Sequence, residues 1–438
     1  MRTISQIEGA LKQVFSRCAQ KAGRKSGFVQ RKSKLTASKW VQTLSFGYLA
    51  NPQATLCELS QMAAVCGCEI TAQGLDERFS LRAAECLREV LKQAVKVMVR
   101  SNSGGAKSTL LEKFREVRVT DSTVIYLPKE LSAEYRGCGS RVMKADAAIK
   151  ASVGWELRKG RLIGPVLGAG RTADMKLGRE HPPIERGALD LCDLGYYSIK
   201  RLEELNAGGA YFITHIQFTT AIFDQEEQKH RLIDLVERDG DNSRLDMPIM
   251  LSNKLFHCRL VAIPVPRIVA DERRRKIRRE IRSRGKTVSK ERLKLAGWNI
   301  YVTNVPEKIL TAEQVLLMAR VRWQIELLFK LWKSLGRVDE WRTEKPAKIL
   351  CEIYAKLLAM IVGHWVMLTG VWGKSDRSIW KAVRLISNHA VRLCDAMRHD
   401  QVEAVLKSLE RNLKTTCRME KRKKHPATFQ LLTLESTP

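Results

Sequence analysis

Three widely separated carboxylates stand in settings that could do chemistry. Glu326 lies in a helical stretch with Arg322 four residues before it and Lys333 seven after. At about 100° per residue these three return to one face within roughly 40° of one another. That face carries a cation, a carboxylate and a second cation. Val321, Ile325, Leu328, Trp332 and Leu335 gather on one flank, as core residues should, although Phe329 falls near the charged face. Taken alone, this reads as a surface helix with a favourable i,i+4 pair. Asp121 sits inside the apolar run Val117 to Leu127, where a carboxylate is costly unless paired, hydrogen-bonded or holding a metal. Asp193 follows Leu189-Asp190-Leu191-Cys192 and precedes Leu194-Gly195-Tyr196-Tyr197; alone, it reads as an Asp capping a turn.

Together, acids from a first strand, a later strand and a distant helix make a different object. Hard cations such as Mg²⁺ take oxygen ligands and keep several waters. Two of them about 4 Å apart activate the attacking oxygen and stabilise the leaving one in phosphoryl transfer. Asp121, Asp193 and Glu326 are therefore the catalytic and metal-ligating candidates, with Mg²⁺ expected and Mn²⁺ able to substitute. The 8 histidines form no zinc-type cluster.

The elements that must position these acids follow from changes of period. Residues 1 to about 100 read as helical, through Ile7, Leu11, Val14 and Phe15 and again through Ala84, Leu87, Leu91, Ala94 and Met98. Leu56-Cys57-Glu58-Leu59 leads to a turn at Gly67, and Thr71 can cap a helix running into Phe79. Helix, glycine turn, helix fits a DNA-reading helix-turn-helix, and fits a small bundle somewhat better. The basic stretch of Arg24, Lys25, Arg31, Lys32 and Lys34 favours DNA contact by the region as a whole. Ser101-Asn102-Ser103-Gly104-Gly105 is a linker by composition. Ala106-Lys107-Ser108-Thr109 is not a phosphate loop, because alanine stands where that loop needs glycine.

Strands are expected over Val117 to Leu127, Ile149 to Leu157, Leu162 to Leu167 and Tyr211 to Ile216, the first three as a meander, with a helix at Glu203 to Asn206. Further strands are expected over Pro248 to Leu251, Leu260 to Val265 and Trp298 to Val302. Among them lies a dense basic run from Arg273 to Arg284, either a solvated helix face or a surface laid against DNA phosphate. From Thr311 onward the pattern is helical. The uncharged stretch Leu357 to Gly373 is shorter than a comfortable membrane span and predicts a buried helix. The cluster Lys421 to His425 fits DNA contact or a solvated terminus equally well.

Composition sets the partner. Lys and Arg number 77 against 47 Asp and Glu, a net charge of +30, which favours a polyanion because each neutralised phosphate releases a counterion. Ribosomal proteins, nucleases and membrane-surface proteins share such a charge, so it narrows the partner and not the activity. Eleven scattered cysteines, with Cys66 and Cys68 lacking a second pair, predict reduced thiols and no zinc site. No apolar block follows Met1, so no secretory signal is expected, and a soluble cytoplasmic, nucleoid-associated protein without a membrane partner is.

With these residues in view, the chain resembles the DDE transposases of the insertion-sequence 4 type. Arg322-Trp323-Gln324-Ile325-Glu326 with Lys330 and Lys333 looks like their Tyr-Arg-Glu-Lys signature. Asp121-Ser122-Thr123 resembles the first-acid strand, Asp193-Leu194-Gly195-Tyr196 the second, and Gly297 to Pro306 the strand upstream of the third. Lys34-Leu35-Thr36, Asn51-Pro52 and Pro426 to Phe429 extend the likeness over nearly the whole chain. One departure stands out: Ala319 occupies the signature Tyr position, removing a stacking surface and a hydrogen bond but no metal ligand.

The resemblance implies an α/β fold, a ribonuclease-H-like catalytic core with a β-strand-rich insertion, flanked by helical N- and C-terminal regions. The expected division is 1–100, helical and DNA-binding; 101–224, the first part of the core; 225–310, the insertion with its basic segment; 311–345, the catalytic helix; and 346–438, helical. It also implies cut-and-paste movement of an insertion sequence: end nicking, a hairpin, then strand transfer by in-line phosphoryl transfers. The DNA partner would be terminal inverted repeats and a target, bound by a homodimer. Arg322, Lys330 and Lys333 would hold backbone phosphate, with Arg273, Arg274 and Arg278 along the DNA. Trp298 would stack on a flipped base or, about as readily, pack in the protein. The alternatives are a ribonuclease-H-like nuclease and a transposase-derived DNA-binding protein with weak or no catalysis.

Overall fold

The computed structural model describes residues 3–31, 33–102, 108–138, 146–237, 244–251, 256–374 and 376–419. Lys32, most of the linker at 103–107, the Lys421 to His425 cluster and the Pro426 to Phe429 segment lie outside them. The chain forms two compact units, each assembled from separated segments: Met1–Ser108, Asp121–Pro182 and Trp323–Pro438 in the first, Thr109–Thr120 and Pro183–Arg322 in the second.

The first unit is mainly helical because its longest helix, Pro346–Met367, is apolar on every side and needs cover all round. Ala37–Ala50 and Leu81–Ala94 pack against it. Proline opens this helix, where the missing N–H costs nothing. It has the length and apolarity of a membrane span, yet that apolar stretch is wholly buried in the fold, as expected for Leu357 onward. Its one buried charge pair, Glu352 with Lys356 at 3.5 Å, follows the i,i+4 spacing, and Lys356 also donates to the Glu340 carbonyl at 2.6 Å. Helix Leu56–Val65 begins with a capping box between Thr55 and Glu58 and ends before Gly67, whose φ of +72° suits only glycine comfortably. Thr71 caps the next helix as expected, but Ala72–Asp76 is five residues long and stops short of Phe79. So short a helix offers little to a DNA groove, and the segment belongs to a helical bundle. In the same unit lie strands β2 (Ala147–Glu156) and β3 (Leu162–Ala169), paired antiparallel, and β1 (Val117–Leu127) follows β2 in the sheet order. That order is the one expected of a meander.

The second unit is built on a sheet. From the Val117–Thr120 half of β1 the order runs through β4 (Leu189–Cys192), β5 (Tyr211–Thr214), β10 (Trp298–Thr303), β9 (Phe256–Pro264), β8 (Leu245–Leu251), β6 (Ile222–Phe223) and β7 (Lys229–His230). β1, β4 and β5 run parallel, and helix Ile199–Ala207 makes the crossover that parallel neighbours require. The remaining pairs are antiparallel. Phe212, Leu260, Ala262 and Val302 lie in the core that fastens the antiparallel part. The basic run is helical: Arg267–Ser283 is a single helix inside the segment expected to be strand-rich.

The helical region also holds a charge cluster whose pH response can be stated. Glu89, nearly buried on Leu81–Ala94, accepts from Lys25 Nζ at 2.5 Å and Lys92 Nζ at 2.8 Å, and these bonds hold its pKa at about 2, below the ordinary 4.5. A depressed carboxylate stabilises the fold above its unfolded pKa and loses that contribution as pH falls through the folded value. Glu89→Gln should therefore cost roughly 1–2 kcal/mol at pH 7, a figure discounted for the solvent around both lysines. Urea unfolding of the two proteins should converge as pH falls from 4.5 towards 2. A gap independent of pH would disprove this assignment.

Candidate active site

Parallel pairing aligns the strands of the second unit in rungs. Val117 pairs with Leu189 and Leu189 with Tyr211, and the register continues to Thr120, Cys192 and Thr214. The residues that follow these three along the chain are Asp121, Asp193 and His215. Parallel strands present their carboxyl ends together, which is where open α/β sheets gather functional groups.

Asp193 is half-buried and begins the one-turn 3-10 helix Leu194–Tyr196, with φ −81° and ψ 169°. Its side chain makes no capping bond, so the turn-capping role open to it on sequence is not the one it plays. Asp190, three residues earlier, behaves differently. It is fully buried and takes Arg201 Nη2 at 2.7 Å, an internal ion pair.

His215 and Tyr301 were not singled out by the sequence. Antiparallel pairing of Val302 with Thr214 brings Tyr301 opposite His215 at the next step, and their ring centroids are 4.5 Å apart. His215 Nδ1 donates to the Ile300 carbonyl at 3.1 Å. Burial pushes the His215 pKa down; that bond and Asp193 push it up, while Arg322 and Arg273 push it down. Burial raises the Tyr301 phenol, with Arg273 and Arg322 opposing and Asp193 adding to the rise. Asp193, Arg322, Arg273, His215 and Tyr301 are thus one electrostatic neighbourhood of the second unit. The signal available in the sequence was positional: His215 follows an apolar strand as Asp193 follows its own.

In the first unit, the half-buried Asp121 accepts the amide of Ser122 on Oδ1 at 2.8 Å. Ser122 Oγ donates to Asp174 at 2.6 Å, and Lys150 lies 3.1 Å from the same Asp174 oxygen. Glu326 stands one turn into helix Trp323–Ser334, half-buried, while Ile325, Leu328, Phe329 and Trp332 are buried. Phe329 therefore belongs to the core, edge-on to Trp332 with centroids 6.1 Å apart. Lys333 donates to the Val124 carbonyl on β1 at 2.9 Å and lies 3.7 Å from Asp339, so it ties the Glu326 helix to the strand of Asp121. Lys330 is exposed. The preceding helix ends at Val321 and the next starts at Trp323, although Arg322 keeps helical dihedrals of −50° and −34°. The expected single helix is two helices joined at Arg322, with neither glycine nor proline at the joint. Ala319 is half-exposed on helix Ala312–Val321.

The basic helix divides its residues between two tasks. Arg273 donates to the Trp298 carbonyl at 3.1 Å and to Asn299 at 2.8 Å, and Arg274 donates to the Leu293 carbonyl at 3.0 Å and to Asp271 at 2.8 Å. These two fasten the helix to its unit. Arg275, Lys276, Arg278, Arg279 and Arg282 face solvent. Trp298 is partly buried and packs against the apolar core of the second unit.

Among the described residues, no group of three or more His, Cys, Asp and Glu forms a ready-made metal cage. The donor chemistry of Asp121, Asp193 and Glu326 still suits a hard divalent cation, since all three offer carboxylate oxygen and Asp193 spends none of it on a cap.

Comparison with known proteins identifies the family. Residues 112–362 match the family model described as Transposase DDE domain. The transposase for insertion sequence element IS231D of Bacillus thuringiensis subsp. finitimus is 28% identical over 92% of this chain and 89% of its own length. That for IS231B of Bacillus thuringiensis subsp. berliner is 27% identical, over 87% and 84%. The transposase for IS1151 of Clostridium perfringens is 26% identical, over 80% and 77%. A family match over more than half its length, running from before Asp121 to beyond Glu326, makes this chain a member of the DDE transposases.

Proposed function

We propose that this protein moves an insertion sequence by cut-and-paste transposition, as a transposase of the insertion-sequence 4 type with a ribonuclease-H-like core. Asp121, Asp193 and Glu326 are its catalytic carboxylates. The observation that supports this most is the register of the parallel strands, which ends on Thr120 and Cys192 with an acid next in the chain after each.

In this reading the three carboxylates hold Mg²⁺, with Mn²⁺ able to replace it. The bound cations supply Lewis acidity at the scissile phosphate and lower the pKa of the attacking oxygen. The protein's own groups do the rest. Arg322 offers a guanidinium to a phosphate oxygen beside Asp193. The exposed cations of the Arg267–Ser283 helix and Lys330 follow the DNA backbone. Hydrolysis frees a 3′-hydroxyl, which attacks the opposite strand to leave a hairpin; the reopened end then attacks target DNA. Each step exchanges one P–O bond for another, so one site serves all of them. Two ends are paired by a homodimer assembled on the DNA.

Purified protein with Mg²⁺ and labelled duplexes carrying the repeats that flank its gene should give nicked, hairpin and joined products. Glu326→Ala should abolish all three and leave duplex binding intact. Specific binding with no product under either Mg²⁺ or Mn²⁺ would identify a DNA-binding relic instead, and Ala319 would be the first position to restore.

The two lysines of the Glu326 helix should behave differently. Lys330→Ala should reduce the slope of log binding constant against log salt by about 0.9, the value for one phosphate contact. Lys333→Ala should leave that slope unchanged and destabilise the fold by about 1 kcal/mol through loss of its bond to the Val124 carbonyl. Equal slopes for Lys330→Ala and wild type would remove Lys330 from the DNA interface.

A further inference from the structure

Tyr301 and His215 lie one residue beyond the paired Val302 and Thr214, as Asp193 lies one beyond Cys192, and the reaction outlined above gives them no contact with substrate. A carbonyl can only accept, so the Ile300 contact fixes the Nδ1–H tautomer of His215 and holds its ring in place. The Tyr301 ring lies 4.5 Å from that imidazole, tilted by 33°. Asn299 projects from the same face of β10 as Tyr301, two residues along, and it receives Arg273. Helix Ala312–Val321, which leads into Arg322, packs against β5 and β9 on this unit. Among the described residues the Tyr301 hydroxyl has no protein partner, and it is not among the buried unpartnered atoms, so it opens to solvent.

A phenol that needed only to pack would have been served by phenylalanine. Here the ring is braced, the hydroxyl is left over, and Arg273, held on Asn299 of the same strand face, stands with Arg322 within electrostatic reach of the phenol. A phenol O–H among guanidiniums suits an anion carrying several acceptor oxygens.

We infer that Tyr301 is a phosphodiester-binding residue. Its hydroxyl donates to a non-bridging phosphate oxygen of the DNA strand beside Asp193, Arg322 and Arg273 supply the charge, and His215 is the positioning residue that fixes the ring. This rests on the transposase reading of the same site.

The test uses the full chain and a labelled DNA duplex, with binding followed by fluorescence anisotropy in EDTA at several salt concentrations. Cleavage with Mg²⁺ is measured in parallel. Tyr301→Phe keeps the stacked ring and should keep the thermal midpoint. It should bind about tenfold more weakly at every salt, the effect of one hydrogen bond to a charged group. The salt slope should not change, because no charge is removed. His215→Gln should lose part of the same affinity, also without a change of slope. Tyr301→Phe binding as tightly as wild type would overturn the inference. His215→Gln binding as wild type would overturn the bracing role. A wild-type protein that binds duplex but cleaves nothing would sink the transposition reading, and the Tyr301→Phe comparison would still decide this one. A wild type that binds no duplex would sink both.

Discussion

The parallel register of β1, β4 and β5 is the constraint on which the site depends. Backbone hydrogen bonds lock Thr120, Cys192 and Thr214 into one rung, and the period of two fixes which side chains share a face. A slip of one residue on β4 would exchange the roles of neighbouring side chains and send Asp190 away from Arg201. The Asp190–Arg201 pair opposes such a slip, since a fully buried carboxylate without its guanidinium would be strongly destabilising. One acid therefore secures the register, and the acid three residues later is the one proposed for chemistry.

This division explains what the sequence could and could not disclose. β1 was legible to the residue, because eleven residues rich in valine, threonine and isoleucine leave little room for another reading. The buried Pro346–Met367 helix was legible in part for the same reason of composition. Asp190 and Asp193 could be told apart only by their neighbours, and Arg201 reaches Asp190 through a crossover whose geometry is not written in the local pattern. His215 and Tyr301 are 86 residues apart, counted as 301 − 215. Their pairing is a product of the antiparallel edge added to the parallel core, and no local period reports it.

The helical signature around Glu326 was readable as a pattern, but its meaning shifted in the structure. Lys333 had the look of a phosphate-binding cation. Its ammonium also donates one hydrogen bond to a β1 carbonyl, which ties helix to strand. Phe329 had the look of an intrusion into a charged face and is a core residue. Helical wheels assign direction but not depth, and depth decides whether a lysine meets solvent or backbone.

The Arg267–Ser283 helix shows the same exchange of charge for position. Its intrinsic stability is poor, with like charges at i,i+3 and i,i+4 and no side-chain cap at its start. Only Ala270 and Ile281 are buried along it. What holds it is the inward use of Arg273 and Arg274, whose guanidiniums each take a backbone carbonyl and a side-chain oxygen. Two arginines thus anchor a surface on which at least five other cations are displayed. An anion laid along that surface would relieve the repulsion that the anchors now oppose, so binding a polyanion there would also stabilise the helix.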